Sequence, residues 1–194
     1  MEGGYQVNKN GERFSDESLG YSEQAEKVLA QPGSIAWSIY DERLHTLMQA
    51  FDDYQDAMRA GAITSAESMN GLAKTTGIKP DGLTATKTKV ENVISGISKD
   101  PFSRDFGEKP PLVAPFYAAR ITGALFHTQG GLVVNHDAQV VARDGTVFPN
   151  LFAGGGAARG ISGAGADGYM AGNGLMTATT FGKLAGRAAA KYAS

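Results

Sequence analysis

The sequence predicts an α+β fold, and three observations carry that prediction. Up to about residue 95, apolar positions recur at helical spacing in several stretches, with one strand-like run among them. Beyond residue 115 the chain changes to short strand-like runs separated by glycine and Asn or Asp turns, and then closes in one long amphipathic stretch. The regular strand–helix alternation of a parallel β–α–β sheet is not present.

Composition sets the outer limits. The chain has 194 residues, 42% of them hydrophobic, which suits one globular unit or one domain plus a piece of another. The 18 basic and 20 acidic residues are interspersed and leave a net charge of −2, so no nucleic-acid partner is expected. Apolar runs fall far short of the ~20 residues of a membrane span. The start, "MEGGYQVNKNGERF", lacks the basic and apolar regions of a signal peptide. Cysteine is absent, which excludes disulfides and thiolate metal sites and is compatible with a cytoplasmic setting. No metal site is expected. Glycine is the outlier at 26 residues, crowded into the C-terminal third. Glycine serves where backbone must approach something closely or take a positive φ, so that third reads as the site-building region.

The elements follow in order. "YQVNKNGERFS" predicts a short hairpin about the turn pair Asn10-Gly11. "DESLGYSEQAEKVLAQ" predicts a helix with Ala25, Val28 and Leu29 on one face, stopped by Pro32-Gly33. "SIAWSIYD" is rich in aromatic and β-branched residues and predicts a strand. "DERLHTLMQAFDDY" predicts an amphipathic helix burying Leu44, Leu47, Met48 and Phe51. "SAESMNGLAKTTG" predicts a short helix capped by Ser65, and "DGLTATKTKVENVISG" another. "SKDPFSRDFGEKPPLVAP" reads as a traversing loop. Short strands follow in "FYAARITGALF", "GGLVVN", "AQVVARDG" and "TVFPNLFAGG". The final helix places Phe181, Leu184, Ala185, Ala188, Ala189 and Tyr192 on one face, with Gly182, Ala185, Gly186 and Ala189 small enough for tight packing on a sheet. Domains are expected at 1–115 and 116–194.

The stretch "FAGGGAARG" raises the question of a dinucleotide site. A phosphate-binding turn needs Gly-x-Gly-x-x-Gly between a strand and an immediate helix, whose free N–H groups hold the pyrophosphate. Here the third glycine arrives late, at Gly160, and "ISGAGADGYMAG" cannot start a helix. This is a different glycine loop. It precedes the long helix starting at Asn173-Gly174, whose unpaired N–H groups form an anion-receptive end.

Taken together, the pieces resemble the succinate dehydrogenase/fumarate reductase flavoprotein family. "VNKNGERFSDES" is similar to its V-N-x-x-G-x-R-F-x-x-E segment. "FHTQGGLVVNHDAQVV" with "DGTVFPNLFAGG" is similar to its H-T-x-G-G-L run and the A-A-G loop, and "GNGLMTATTFGKLAGRAAA" to its terminal helix. The resemblance spans nearly the whole chain. It implies a capping (substrate-lid) domain of the fumarate reductase type at 1–115, and the C-terminal portion of a Rossmann-like FAD-binding domain at 116–194. The family's phosphate turn lies upstream of the R-F-x-x-E segment, so the resemblance implies FAD as cofactor and an N-terminal FAD-binding half as partner, in the same parent chain or a separate subunit. It also implies that the isolated chain binds FAD poorly, and that strands between 120 and 155 expose an apolar face through which the chain could self-associate into a homo-oligomer.

The family's dicarboxylate reductases bind substrate with cations. Those positions fall here on Tyr21, Phe126 and Tyr169, which argues against fumarate or succinate as substrate. Tyrosines near these positions look like those of 3-ketosteroid dehydrogenases, a branch of the same superfamily. That likeness implies Tyr21 as base and Tyr169, in "GYMAGNG", as donor to a ketone oxygen. A phenol of pKa ~10 is a poor base unless a cation or hydrogen bonds lower it, whereas a phenol donor to a developing enolate is ordinary electrostatic stabilisation. The resemblance places His127, Thr128, Gly130, Gly131, Gly154, Gly155, Gly156, Asn173, Gly174, Leu175 and Met176 against the flavin, and Phe126 against a small-molecule substrate; Arg159, the only cation of the glycine loop, is expected to meet an acidic substrate. Arg13 and Glu17 read as a local surface ion pair, and His45 and His136 as structural or solvated. Three functions stay open: an oxidoreductase part acting on a C–C bond next to a carbonyl, a non-catalytic fragment or split-enzyme subunit that binds no flavin alone, and a dicarboxylate oxidoreductase with rearranged cations.

Overall fold

A computed structural model describes residues 2–124, 129–163 and 165–193. The chain forms two compact units, Met1–Gly123 and Ala124–Ser194. The first is built on a four-stranded antiparallel sheet made from β1 (Tyr5–Val7), β2 (Ala36–Asp41), β3 (Ile63–Ala66) and β4 (Phe116–Ile121), in the order β1-β2-β4-β3. β4 pairs on both sides with strands of this unit. The compact units therefore divide at 123/124, beyond the composition change at 115/116.

The Asn10-Gly11 turn forms, but it closes no local hairpin. Asn8 Oδ1 accepts from the amides of Asn10 and Glu12, at 2.9 and 3.2 Å. β1 pairs instead with β2, Tyr5 opposite Ile39 and Val7 opposite Trp37. The turn is held by the helix α5 (Pro80–Ile94): Thr86 Oγ1 donates to the Gly11 carbonyl at 2.6 Å, and the Lys79 amide to the Lys9 carbonyl at 3.0 Å. A long-range anchor thus outcompetes the local strand pairing that the turn signal suggested.

α1 (Tyr21–Leu29) buries Gln24 and Val28. Leu29, expected on the buried face, is mostly exposed, with its side chain beside Gly123. The amphipathic stretch after β2 is two helices, α2 (Glu42–Met48) and α3 (Asp52–Arg59), not one. Asp41 caps α2 through the Leu44 amide at 3.3 Å, while Asp52 and Asp53 favour a new helix start by sitting in its first turn. Leu44 is buried and Leu47 and Phe51 are exposed as a result. Ser65 lies in β3 opposite Tyr117, because Ile63–Ala66 extends the sheet. The cap of α4 (Met69–Thr76) is Ser68, whose Oγ accepts from the Gly71 amide at 3.1 Å. α4 and α5 close one core around Ile39, Leu72, Ile78 and Leu83. The proline-rich segment before β4 lacks regular structure, as expected, yet it delivers Phe106 and Leu112 into that core.

The second unit pairs β5 (Gln139–Val141) with β6 (Val147–Phe152), antiparallel, and carries the helix α6 (Asn173–Ala193). Its core is small: Val140, Ala153 and Ala158, with Val134 and Phe181 against them. On α6, Phe181, Leu184, Ala185, Ala188 and Ala189 form the less exposed face, but Tyr192 is exposed. A Cβ at Gly182 or Gly186 would meet only open space. The close approach is made from the other side, where a Cβ at Gly154 would sit 3.0 Å from Phe181 Cβ and one at Gly155 3.3 Å from Ala178 Cβ. Leu132, Val133, Val147, Phe148 and Leu151 are exposed apolar residues of this unit. No helix of the described residues is long and apolar enough to cross a membrane.

Two glycines separate backbone strain from crowding. Gly11 (φ +79) and Gly61 (φ +70) both need the left-handed region, but only at Gly11 would a Cβ collide, 2.2 Å from the Leu83 amide nitrogen. Gly61→Ala is expected to destabilise by roughly 1–2 kcal/mol, the left-handed penalty alone. Gly11→Ala is expected to be clearly worse, measured as the difference in denaturant midpoints.

Candidate functional site

Backbone makes most of the site in the second unit. The segment at 129–134 runs beside the glycine loop: Leu132 N donates to Ala157 O, Arg159 N to Leu132 O and Gly160 N to Gln129 O, each at 2.9 Å. That contact requires glycine at 131, where a Cβ would sit 2.4 Å from the Ala158 carbonyl carbon. Gly130 and Gly156, by contrast, face open space. After β6 the chain makes only a single 3-10 turn, Gly155–Ala157, so no helix follows Gly154 to hold a pyrophosphate. Gln129, Gly130, Arg159, Ile161 and Ser162 border a cleft of about 550 Å³.

The start of α6 is tied to this loop. The buried Asn173 donates from Nδ2 to Ser162 Oγ and, at 2.8 Å, to Met170 O, while the Met170 amide donates to Ser162 Oγ at 3.0 Å. The Asn173 carboxamide is therefore spent on holding the loop. Gly174 is half-buried, Met176 is exposed and Leu175 is 79% exposed, so the first turn of α6 presents an open surface. Tyr169 is half-buried and follows the 3-10 turn Ala166–Gly168. Phe126, His127 and Thr128 lie outside the described residues.

In the first unit, Tyr21 is the first residue of α1 and 65% exposed. What fixes this helix start is a group the sequence reading took for a surface pair. Arg13 grips Glu17 through Nε and Nη2, both at 2.8 Å, and also pairs with Asp100. Arg104 Nη1 reaches the same Glu17 carboxylate at 2.8 Å, and Glu17 Oε1 accepts from the Gln6 amide at 3.0 Å. All four side chains are 6% exposed or less. Burial disfavours the Arg13 cation, but its hydrogen bonds and attraction to Glu17 and Asp100 outweigh that and raise its pKa. The Arg104 guanidinium lies 4.1 Å from the Phe106 ring centroid. The available signal was "DPFSRDF", where two charges four apart alternate with two aromatic residues. A second polar chain, Ser15 Oγ to Gln24 Oε1 at 2.9 Å and Gln24 Nε2 to Gln6 Oε1 at 2.7 Å, fixes α1 one turn beyond Tyr21.

His45, read as structural or solvated, belongs to an aromatic array with Tyr40, Tyr54 and Tyr117. Its ring stacks on Tyr117 at 4.2 Å and 9°, its Nδ1 meets the Tyr54 hydroxyl at 2.6 Å, and Tyr54 meets the Tyr40 hydroxyl at 2.8 Å. Tyr117 donates to the Glu42 carboxylate, which pushes its pKa up to about 12. Burial raises Tyr40 further.

A family described as FAD binding domain matches residues 1–175. Fumarate reductase (cytochrome) of Shewanella frigidimarina is 30% identical over 186 residues, which cover 96% of this chain and 32% of that protein. A flavocytochrome c3 fumarate reductase in its open conformation is similar in structure, with TM-score 0.76 and 27% identity over 99% of this chain and 33% of that one. So is 3-ketosteroid delta1-dehydrogenase from Sterolibacterium denitrificans, solved with 1,4-androstadiene-3,17-dione, with TM-score 0.69 and 26% identity over 97% of this chain and 39% of that one. The chain spans about a third of the length of the relatives it matches.

Arg104→Met leaves a buried carboxylate short of its cation and is expected to destabilise the protein by roughly 3–5 kcal/mol in denaturant unfolding. The tyrosines give an alkaline signature. Because the Tyr117 pKa moves from 10.0 to about 12 on folding, its contribution to stability is complete below pH 10 and is lost as pH rises towards 12. Tyr117→Phe is expected to reduce the fall in melting temperature over that interval.

Proposed function

We propose, from the premise that the chain belongs to the FAD binding domain family, that it forms the substrate lid and the flavin-ring wall of an oxidoreductase acting on a C–C bond next to a carbonyl. The family is one of FAD-dependent oxidoreductases, and proteins similar to this chain include fumarate reductases and a 3-ketosteroid dehydrogenase. The observation that carries the reading is the glycine-walled cleft beside the start of α6. A flat ring edge can lie against backbone where Gly130 and Gly156 leave space, and the amides of a helix start favour negative charge nearby. The described residues offer no matching cradle for a pyrophosphate. The nucleotide part of FAD is therefore assigned to an N-terminal FAD-binding half, in the same parent protein or a separate subunit, and the exposed apolar residues of the second unit are assigned to contact with it.

Bound FAD supplies hydride transfer at N5 of its ring. Gly130, Gly131 and Gly154–Gly156, together with His127 and Thr128, would hold the ring edge, and the first turn of α6, Asn173 to Met176, would stabilise charge on it. Tyr169 donates to the substrate carbonyl oxygen, where charge develops in the transition state. Tyr21 removes the proton next to that carbonyl. Phe126 is assigned to substrate contact and Arg159 to any acidic group at the rim. The likeness to fumarate reductases favours a dicarboxylate substrate as the second reading, but Tyr21, Phe126 and Tyr169 leave the expected clamp without its cations.

Titration of the chain alone with FAD and with riboflavin tests the division of labour. The two are expected to bind with similar, weak affinity, since only ring contacts are present. FAD binding that is much tighter than riboflavin binding overturns the requirement for a second half. In the assembled enzyme, Tyr169→Phe is expected to lower kcat for a cyclic ketone by roughly 100-fold or more, with Arg159→Gln changing little. Retained turnover in Tyr169→Phe, or turnover of fumarate in preference to the ketone, removes the carbonyl-adjacent reading.

A further inference from the structure

Tyr169 occupies a stretch of chain with neither helix nor strand, between the 3-10 turn Ala166–Gly168 and the start of α6. Its backbone is nevertheless tied on both flanks. Two glycines make the first tie: the Gly163 amide donates to the Gly168 carbonyl at 2.8 Å, and a Cβ at Gly168 would sit 2.6 Å from Gly163 Cα. The two chain segments touch there, and that contact brings residue 162 beside residues 169 and 170. The Tyr169 amide itself donates to the Ala166 carbonyl at 3.1 Å. Beyond the phenol, Met170 is engaged at both of its backbone groups. Its amide donates to Ser162 Oγ at 3.0 Å, and its carbonyl accepts from the Asn173 amide at 3.2 Å and from Asn173 Nδ2 at 2.8 Å.

Ser162 closes this frame, at the border of the cleft beside the glycine loop. Its oxygen accepts twice, from the Met170 amide and from Asn173 Nδ2, which fills both lone pairs of a hydroxyl. Loop serines commonly bond backbone two to four residues away. This one reaches partners eight and eleven residues along the chain, so local turn formation does not account for it. The bond to Met170 adds little stability, because Ser162 is half-buried and Met170 exposed, and water can take the amide when the hydroxyl is absent. Water cannot supply a fixed placement for the residue between the two ties. A donor that stabilises charge arising on a reacting oxygen is effective only when its placement is set before the reaction.

We propose that Ser162 is the positioning residue of Tyr169: by holding Met170 while the Gly163–Gly168 contact holds the other flank, its hydroxyl fixes the placement from which the phenol donates. The role presupposes Tyr169 as the carbonyl donor proposed for this site and is exerted through that residue alone. The chain carries seven tyrosines, so 3-fluorotyrosine labelling gives seven fluorine resonances, and Tyr169→Phe identifies the one from Tyr169. In the chain alone, Ser162→Ala is expected to shift and broaden that resonance and to leave the other six in place. Ser162→Thr, which keeps the acceptor oxygen, is expected to restore it. In the assembled enzyme, Ser162→Ala is expected to lower kcat for the cyclic ketone roughly tenfold, with KM held within about twofold. Ser162→Thr is expected to recover kcat, and Ser162→Ala to cost nothing further in a Tyr169→Phe background. An unmoved Tyr169 resonance in Ser162→Ala, a shift spread over all seven resonances, or equal loss of kcat in both backgrounds overturns the proposal while Tyr169 stands as donor. Full turnover in Tyr169→Phe, or no turnover of the ketone by the unsubstituted enzyme, removes the donor and the positioning role with it, whatever the resonance does.

Discussion

The first unit depends on one electrostatic constraint: two carboxylates and two guanidiniums, Glu17, Asp100, Arg13 and Arg104, share a nearly dry site. Each charge alone would be strongly unfavourable there, so the four are stable only as a set. Their segments are far apart in sequence. The residues after β1, the approach to α1 and the irregular run before β4 are therefore fixed to one another by charge balance, not by regular hydrogen bonding. Replacing such a group with apolar residues can leave stability unchanged, whereas removing one member cannot. The group specifies where the start of α1 sits more than it adds to the total stability. Tyr21, four residues beyond Glu17, inherits that position.

The second unit is built on the opposite principle. Among the described residues its apolar core is Val140, Ala153 and Ala158 with two partners, beside a buried Ala138, a small core to hold the segment by burial alone. Close backbone approach does the work instead, at Gly131 against Ala158, Gly154 against Phe181 and Gly163 against Gly168. The amides at these approaches are spent on one another, as where Leu132 N donates to Ala157 O and Gly163 N to Gly168 O. The same economy leaves Phe148 and Leu151 exposed, which a larger hydrophobic core would have covered.

Local signals in the sequence were legible where the local interaction is also the one the fold uses. The β2 strand follows from its aromatic and β-branched content, and the α5 and α6 helices form where the sequence places them. The Asn10-Gly11 turn was legible but its strand partner was not, since α5 holds the turn from far along the chain. Ser65 and Ser68 are equally good caps by residue type, and only the pairing of β3 with β4 decides between them. The Arg13–Glu17 pair was legible as a pair. Its burial depends on Asp100 and Arg104, which no spacing rule connects to it. The family was legible because several motifs, ordered along the chain, resemble it together.

That difference in constraint bears on the chemistry. On the proposed reading, a glycine wall and a helix start would serve any substrate, since both would address the ring of a cofactor and not what reacts with it. The residues we propose for the substrate side, Tyr21, Phe126 and Tyr169, carry no cation with which to clamp a dicarboxylate. A dianionic substrate brought to such a site would lose its hydration without gaining compensating charge. A neutral carbonyl loses far less, and a single phenol donor suffices because negative charge on its oxygen arises only as the reaction proceeds. On the proposed reading, phenols in place of cations would exchange recognition of a charged ground state for stabilisation of a transient charge.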